Sequence, residues 1–200
     1  MRSFARKGVV GLVMLVVSVG VAPAIAAAVV WAPDSTAVDF TLTTGTRAVF
    51  TVSGAVTITC DTHTARGATG VRDDRITIRA VNNTYTDSSI GSTTCPTDQR
   101  GVTATVRVTT SWVVVATRVT GGTVTVTDNA AVIRLDGGIF GGCSSQIQRS
   151  TAPFTYDNRG RLQTDPRNSI NTRGSGGFCV FGTSATQQET ILVSPAVQIR

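Results

Sequence analysis

The run GVTATVRVTTSWVVVATRV, Gly101 to Val119, decides the fold. Val102, Ala104, Val106, Val108, Thr110, Trp112, Val114 and Ala116 fall on one side of an extended chain. Thr103, Thr105, Arg107, Thr109 and Ser111 fall on the other. Period-two alternation in β-branched residues is the signature of a strand with one face in a core and one in water. The run exceeds the usual strand of about 5–6 residues, so a bend near Thr109–Ser111, or service to two sheets, is expected. From Val113 to Val119 the second face also turns apolar, as expected where a strand passes into the interior.

Thr, Val and Gly abound on both sides of this run, and charged residues make up only 15% of the chain. That composition disfavours helix and favours pleated sheet with tight turns. Ala37 to Leu42 and Arg47 to Val52 read as a first hairpin around Thr43-Thr44-Gly45-Thr46. Val56, Ile58 and Cys60 share a face. Asp61 to Asp74 and Asn82 to Thr94 read as loops, with a strand from Arg75 to Val81 between them. Gly121-Gly122 reads as a two-residue hairpin turn that folds Thr123–Thr127 back on Val113–Val119. Asp128-Asn129 and Asp136-Gly137-Gly138 read as further turns, flanking Ala130 to Leu135. Gly142 to Gly177 reads as a polar connection holding one short strand, Phe154-Thr155-Tyr156. Phe178–Phe181 and Glu189–Ile199 close the chain in strands, the last at an edge because of Pro195. The expected fold is all-β: an antiparallel sandwich or a barrel-like pair of sheets.

The first residues are an address. Arg2, Arg6 and Lys7 precede an apolar run from Gly8 to Val21, then Ala22-Pro23-Ala24-Ile25-Ala26-Ala27-Ala28. A positive start, a short apolar middle and an Ala-x-Ala end make a secretory signal peptide over 1–26. Cleavage is expected after Ala26 in Ala24-Ile25-Ala26, with Ala28 as the next choice. The apolar middle falls short of the roughly 20 residues needed to span a bilayer, and no later segment reaches that length. Residues 27–200 then form one β-rich domain, secreted or attached to the cell surface. Three of the 18 basic residues and none of the 12 acidic ones lie in the first seven positions, so +6 falls to +3 once they are removed. The remaining arginines are scattered and form no phosphate-binding stripe, which excludes nucleic acid as a partner class.

Four cysteines are present: Cys60, Cys95, Cys143 and Cys179. The separations within the two successive pairs are 35 and 36, and the offsets between pairs are 83 and 84. Equal spacing and equal offset suggest two related halves, about 37–119 and 120–200. An exported chain with an even cysteine count holds disulfides, and four cysteines allow three pairings. The duplication selects Cys60–Cys95 with Cys143–Cys179. A metal site is disfavoured, because no Cys-x-x-Cys occurs and the chain has one histidine.

A strand ending in Cys60, Cys95 before a long Thr/Val strand with Trp112, Gly-Gly, a Thr/Val hairpin, then Cys143 and Cys179: this arrangement resembles a broad group of small exported actinobacterial proteins. They share a signal peptide, four cysteines and a central-strand tryptophan. The group is largely uncharacterised, so the resemblance implies a secreted β-rich fold and carries no activity and no functional residue onto this chain.

Candidate chemistry is thin. His63, in Cys60-Asp61-Thr62-His63, would need a serine or cysteine beside it and a carboxylate behind it to act as a base. No Gly-x-Ser-x-Gly elbow occurs, and a polar loop position is the simpler reading. Asp73-Asp74 suit a solvated turn better than a glycosidase pair, since neighbouring residues point to opposite faces. Asp128-Asn129 and Asp136-Gly137-Gly138 carry calcium-ligand types but are first explained as turns. Trp112 reads as core. A sugar platform would need two or three of Tyr85, Phe154, Tyr156, Phe178 and Phe181 exposed and coplanar. No catalytic residue, cofactor or metal is assigned. The expectation is a non-enzymatic exported protein that binds at or near the cell envelope, to polysaccharide or to another secreted protein. The alternatives are a carbohydrate-binding module, a secreted hydrolase, or an inhibitor that inserts a braced loop such as Gln146–Gly176.

Overall fold

The computed structural model of the chain describes residues 28–52, 56–88, 93–165, 167, 169–176 and 184–200, with residue 140 described in its backbone alone. The expected signal peptide, Phe178–Phe181 and Cys179 lie outside the described residues.

Every described segment of regular structure is a strand or a short 3-10 turn (Ala80–Asn82 and Gly138–Phe140). After β1 (Trp31–Ala32) the chain runs as eight arms, most of them a strand pair with a bend between. The first arm is β2 (Ala37–Leu42) and β3 (Ala48–Val52); the second is β4 (Val56–Cys60) and β5 (Thr62–Ala68). The third has three pieces: β6 (Arg75–Ile78), β7 (Asn83–Thr86) and β8 (Thr94–Pro96). The fourth is β9 (Thr103–Val108) and β10 (Trp112–Arg118); the fifth is β11 (Gly121–Val126) and β12 (Ala131–Asp136). The sixth is β13 (Cys143–Ile147) and β14 (Ser150–Asp157); the seventh is β15 (Arg161–Thr164) and β16 (Ser169–Ser175). The eighth is β17 (Ser184–Gln188) and β18 (Thr190–Ser194), and β19 (Gln198–Ile199) ends the chain.

All the pairings are antiparallel, and each arm lies beside its neighbours in sequence. The second and third arms meet through Thr62–Ala65 with Asn83–Thr86 and through the bridges Ile58–Thr97 and Thr69–Ile76. The eighth arm returns to the first through β18–β2 and β17–β3. The sheet therefore curls into a barrel-like wall whose pairings run full circle, so most edges find a partner. A small second sheet, β1 with β19, packs beside it. No helix among the described residues is long and apolar enough to cross a membrane.

The central run behaves as its alternation dictates. Val102, Ala104, Val106, Val108, Trp112, Val114 and Ala116 are buried. The strand breaks at Thr109–Ser111, where the Ala130 carbonyl accepts both Thr109 N–H (2.9 Å) and Thr110 N–H (3.3 Å). Asn129, in the left-handed region at φ 57°, supplies the matching bend on the neighbouring arm. The outer face does not pass into the interior: Val113 and Val115 are half-buried and Val119 is exposed. The core is lined by Trp31, Phe40, Phe50, Tyr85 and Phe154, all essentially inaccessible. Each removes ~150–250 Å² from water, about 4–6 kcal/mol of gross burial before entropy is counted.

Several expected loops are strands. β2 and β3 do not form a hairpin; the Thr43–Thr46 turn only bends one arm, and each half pairs elsewhere. Asp61–Asp74 contains β5, whose buried residues are His63 and Ala65. Asn82–Thr94 contains β7, whose buried residues are Asn83 and Tyr85. Gly142–Gly177 supplies four strands of wall, β13 to β16, so no free braced loop spans Gln146–Gly176. Polar residues occupy inward positions there, which hides the period-two signal. The β10–β11 turn is Val119-Thr120, while Gly121 and Gly122 pair inside the ladder with Arg118 and Ala116. Glycine is required because a Cβ at Gly122 would lie 1.8 Å from the Val115 carbonyl oxygen, and one at Gly121 2.3 Å from that of Phe154.

Cys60 is bonded to Cys95, with Cα atoms 5.1 Å apart, tying β4 to β8. Cys143, the first residue of β13, is also disulfide-bonded.

Candidate functional site

Polar side chains converge inside the wall. β5 and β7 pair with His63 directly opposite Tyr85. Cross-strand partners share a face, so the two rings stack, centroids 3.9 Å apart and 17° from parallel. Two residues before Tyr85 on the same face stands Asn83, whose Oδ1 lies 3.0 Å from His63 Nε2. From the other side, Glu189 sits in the break between β17 and β18, and its Oε2 lies 2.9 Å from His63 Nδ1. Gln187, two residues earlier, donates from Nε2 to Glu189 Oε1 (2.7 Å) and to the Tyr85 hydroxyl (3.0 Å). Thr164 of β15 fixes the Glu189 backbone: its Oγ1 accepts the Glu189 N–H at 3.0 Å. All six residues are more than nine-tenths buried.

Both ring nitrogens of His63 are engaged by the protein, one by Glu189 and one by the side-chain amide of Asn83. His63 and Glu189 thus form a buried, hydrogen-bonded pair. They are the only histidine and the only glutamate in the chain. Burial pushes the Tyr85 hydroxyl well above its usual range, the Glu189 charge pushes it further, and the hydrogen bond from Gln187 pulls it partly back.

Beside the cluster lies a cavity of about 50 Å³. His63, Thr164, Gln187 and Glu189 form its polar side, and Trp112 also lines it. The rest of its wall is largely apolar, including Phe40, Val114 and Ile191. Trp112 is buried, and its Nε1 has no hydrogen-bond partner.

His63 is thus not on a polar loop. It is a strand residue in the interior, and its two nitrogens are committed to Glu189 and Asn83, with no serine or cysteine on either. The arrangement orients buried polar groups; neither ring nitrogen is placed against a nucleophile. Asp73 and Asp74 stay in a solvated turn, where Asp73 Oδ1 accepts the Arg75 N–H and Asp74 pairs with Arg75 at 3.4 Å. Asp128 accepts the Arg149 N–H in its turn. Among the described residues no group of histidine, cysteine and carboxylate is placed to hold a metal ion. Tyr85, Phe154 and Tyr156 are buried in strands and form no exposed platform. Sequence reasoning missed Asn83, Thr164, Gln187 and Glu189. The signal available was compositional: a lone His and a lone Glu in a chain that otherwise uses Arg and Asp.

The two tyrosines give a test of burial. Tyr156 donates its hydroxyl to the Val197 carbonyl (2.6 Å) and is pushed up to about 12 by burial and by the nearby Asp157 charge. A raised tyrosine contributes stability that is whole below about pH 10 and lost as pH climbs through the folded value. Stability should fall between about pH 10 and 12, by about 1.4 kcal/mol per pH unit for each tyrosine at most. Absorbance at 295 nm should show no phenolate below about pH 11 and then a cooperative rise with unfolding. A gradual rise centred near pH 10 in folded protein would refute the burial.

The chain matches no protein-family model, no curated protein and no solved structure.

Proposed function

We propose that the chain is an exported, non-enzymatic binding protein that works at or near the cell envelope, with the outside of the barrel as its binding face and envelope polysaccharide as its partner. The observation that carries this reading is a row of outward side chains crossing five strands. Leu192 of β18 lies opposite Thr41 of β2, Thr41 opposite Thr64 of β5, Thr64 opposite Thr84 of β7, and Thr84 opposite Arg107 of β9. Leu192, Thr64, Thr84 and Arg107 are exposed, and the Thr64 and Thr84 hydroxyls are 2.8 Å apart. Neighbouring strands stand ~4.8 Å apart, so the row offers hydroxyls and a guanidinium at regular intervals. Shallow hollows of about 360 and 620 Å³ adjoin it, one at Thr41 and Thr64, the other at Thr84 and Arg107. Such a face suits a hydroxyl-rich chain better than an apolar ligand. The N-terminal export pattern and the bonded cysteines support the compartment.

Sedimentation of the oxidised protein with isolated envelopes and insoluble polysaccharides, at low and moderate salt, tests this reading. Retention that survives salt is expected, and Thr64→Val with Thr84→Val should abolish it while leaving the fold intact. Protein that stays in the supernatant throughout, or retention lost with salt as +3 alone would give, overturns it.

A further inference from the structure

We infer that the interior cavity is a binding site for a small, uncharged molecule that accepts a hydrogen bond, a compound of about four non-hydrogen atoms such as a short ketone, with the indole N–H of Trp112 as the donor. The site goes beyond the envelope reading and does not depend on it. The argument starts from satisfaction. Among the described lining residues, the other polar side chains spend their donors on the protein. His63 faces Glu189 and Asn83. Gln187 Nε2 serves Tyr85 and Glu189. Thr164 Oγ1 donates to the Gln187 carbonyl at 3.3 Å, and Ser150 Oγ donates to that of Gln148 at 3.1 Å. Of the buried side-chain donors without a partner among the described residues, Trp112 Nε1 is the one that belongs to the cavity lining.

Burial makes this costly. Trp112 is 6% exposed, and an unmet donor in such a place is expensive enough that native interiors rarely keep one. Phenylalanine would line the same wall without that cost. Because Trp112 lines the cavity, an acceptor held there is the group that would meet its donor. Size and charge narrow the class. About 50 Å³ takes on the order of four water-sized groups. Both ring nitrogens of His63 and both carboxyl oxygens of Glu189 are already engaged by the protein, and the remaining wall is largely apolar, so a charged occupant would lose its hydration without gaining a counter-ion. For so few atoms the affinity ceiling sits at tens of micromolar, and millimolar binding is the ordinary expectation.

The test uses the oxidised protein, with acetone as the probe and xenon as the apolar control. Titration is followed by NMR on the Trp112 indole N–H and on the methyls of Val114, Ile147 and Ile191. Acetone should shift all of them along one saturable curve with half-saturation between about 0.1 and 10 mM. Trp112→Phe should raise that half-saturation roughly three- to tenfold and leave the methyl response to xenon unchanged. Linear, unsaturated shifts overturn the proposal, as does equal acetone affinity in the variant. If the variant does not fold, the native protein decides alone: an indole N–H that stays still while the methyls saturate also overturns it.

Discussion

Glu189→Ala should lower the free energy of unfolding by about 2–6 kcal/mol, because it leaves the buried His63 and Gln187 side chains each short of a hydrogen-bond partner. His63 would keep its stack on Tyr85 and its contact with Asn83, but its Nδ1 would be left without the Glu189 partner in a largely apolar surrounding. Gln187 would lose one of its two acceptors. Urea denaturation of the oxidised protein measures the loss as a shift in midpoint. Replacing both partners, His63→Phe with Glu189→Met, should recover at least half of it, because an apolar pair removes both desolvation costs at once. A loss below about 1 kcal/mol for Glu189→Ala would mean that these hydrogen bonds are not made in a dry interior. The experiment also separates structure from chemistry: the pair is placed to hold the second, third and eighth arms together.

The second large effect concerns the disulfide. Cys60→Ala with Cys95→Ala should cost about 4 kcal/mol, the chain-entropy value for a loop whose ends are 35 residues apart. The location adds to the consequence. β4 and β8 form no continuous ladder: the isolated bridge Ile58–Thr97, just past β8, and the hydrogen bonds from Asp98 N–H to the Thr57 carbonyl and from Thr57 N–H to Asp98 Oδ1 join the two segments, so the sulfur link reinforces a thinly paired part of the wall. Hydrogen exchange in the variant should therefore rise first in β4 and β8 and leave the β10–β11–β14 ladder protected. Uniform loss of protection across all strands would refute the local picture. Non-reducing peptide mapping should return the Cys60–Cys95 peptide pair; a Cys60–Cys143 pair would overturn both the pairing and this prediction.

How much was legible follows from what each strand turns inward. Gly101–Val119 shows its period and even its bend, because valine, alanine and tryptophan occupy the inward positions. β5, β7, β13 and β16 turn His63, Asn83, Ser145 and Thr172 inward, and a hydropathy pattern reads such strands as loop. Gly121-Gly122 looked like a turn because glycine is usually conformational; here it is steric, making room for two neighbouring backbones. The polar cluster could not be assembled from the sequence. His63 and Glu189 are 126 residues apart and meet only because the eighth arm returns to the first. The lone His and lone Glu were visible, but their contact is a property of closure.

Because every arm lies beside its sequence neighbours and β19 pairs with β1, the order of the arms is cyclic: no arm is topologically first. Seven of the eight seams form between segments adjacent along the chain and need only short loops to close. One seam, β2–β18 with β3–β17, joins the two ends of the meander and bears nearly all of the long-range loop entropy. Folding can thus proceed as a ribbon that curls before it is sealed. The seal is also the step that brings Glu189 to His63, so the polar cluster exists only once the circle is complete.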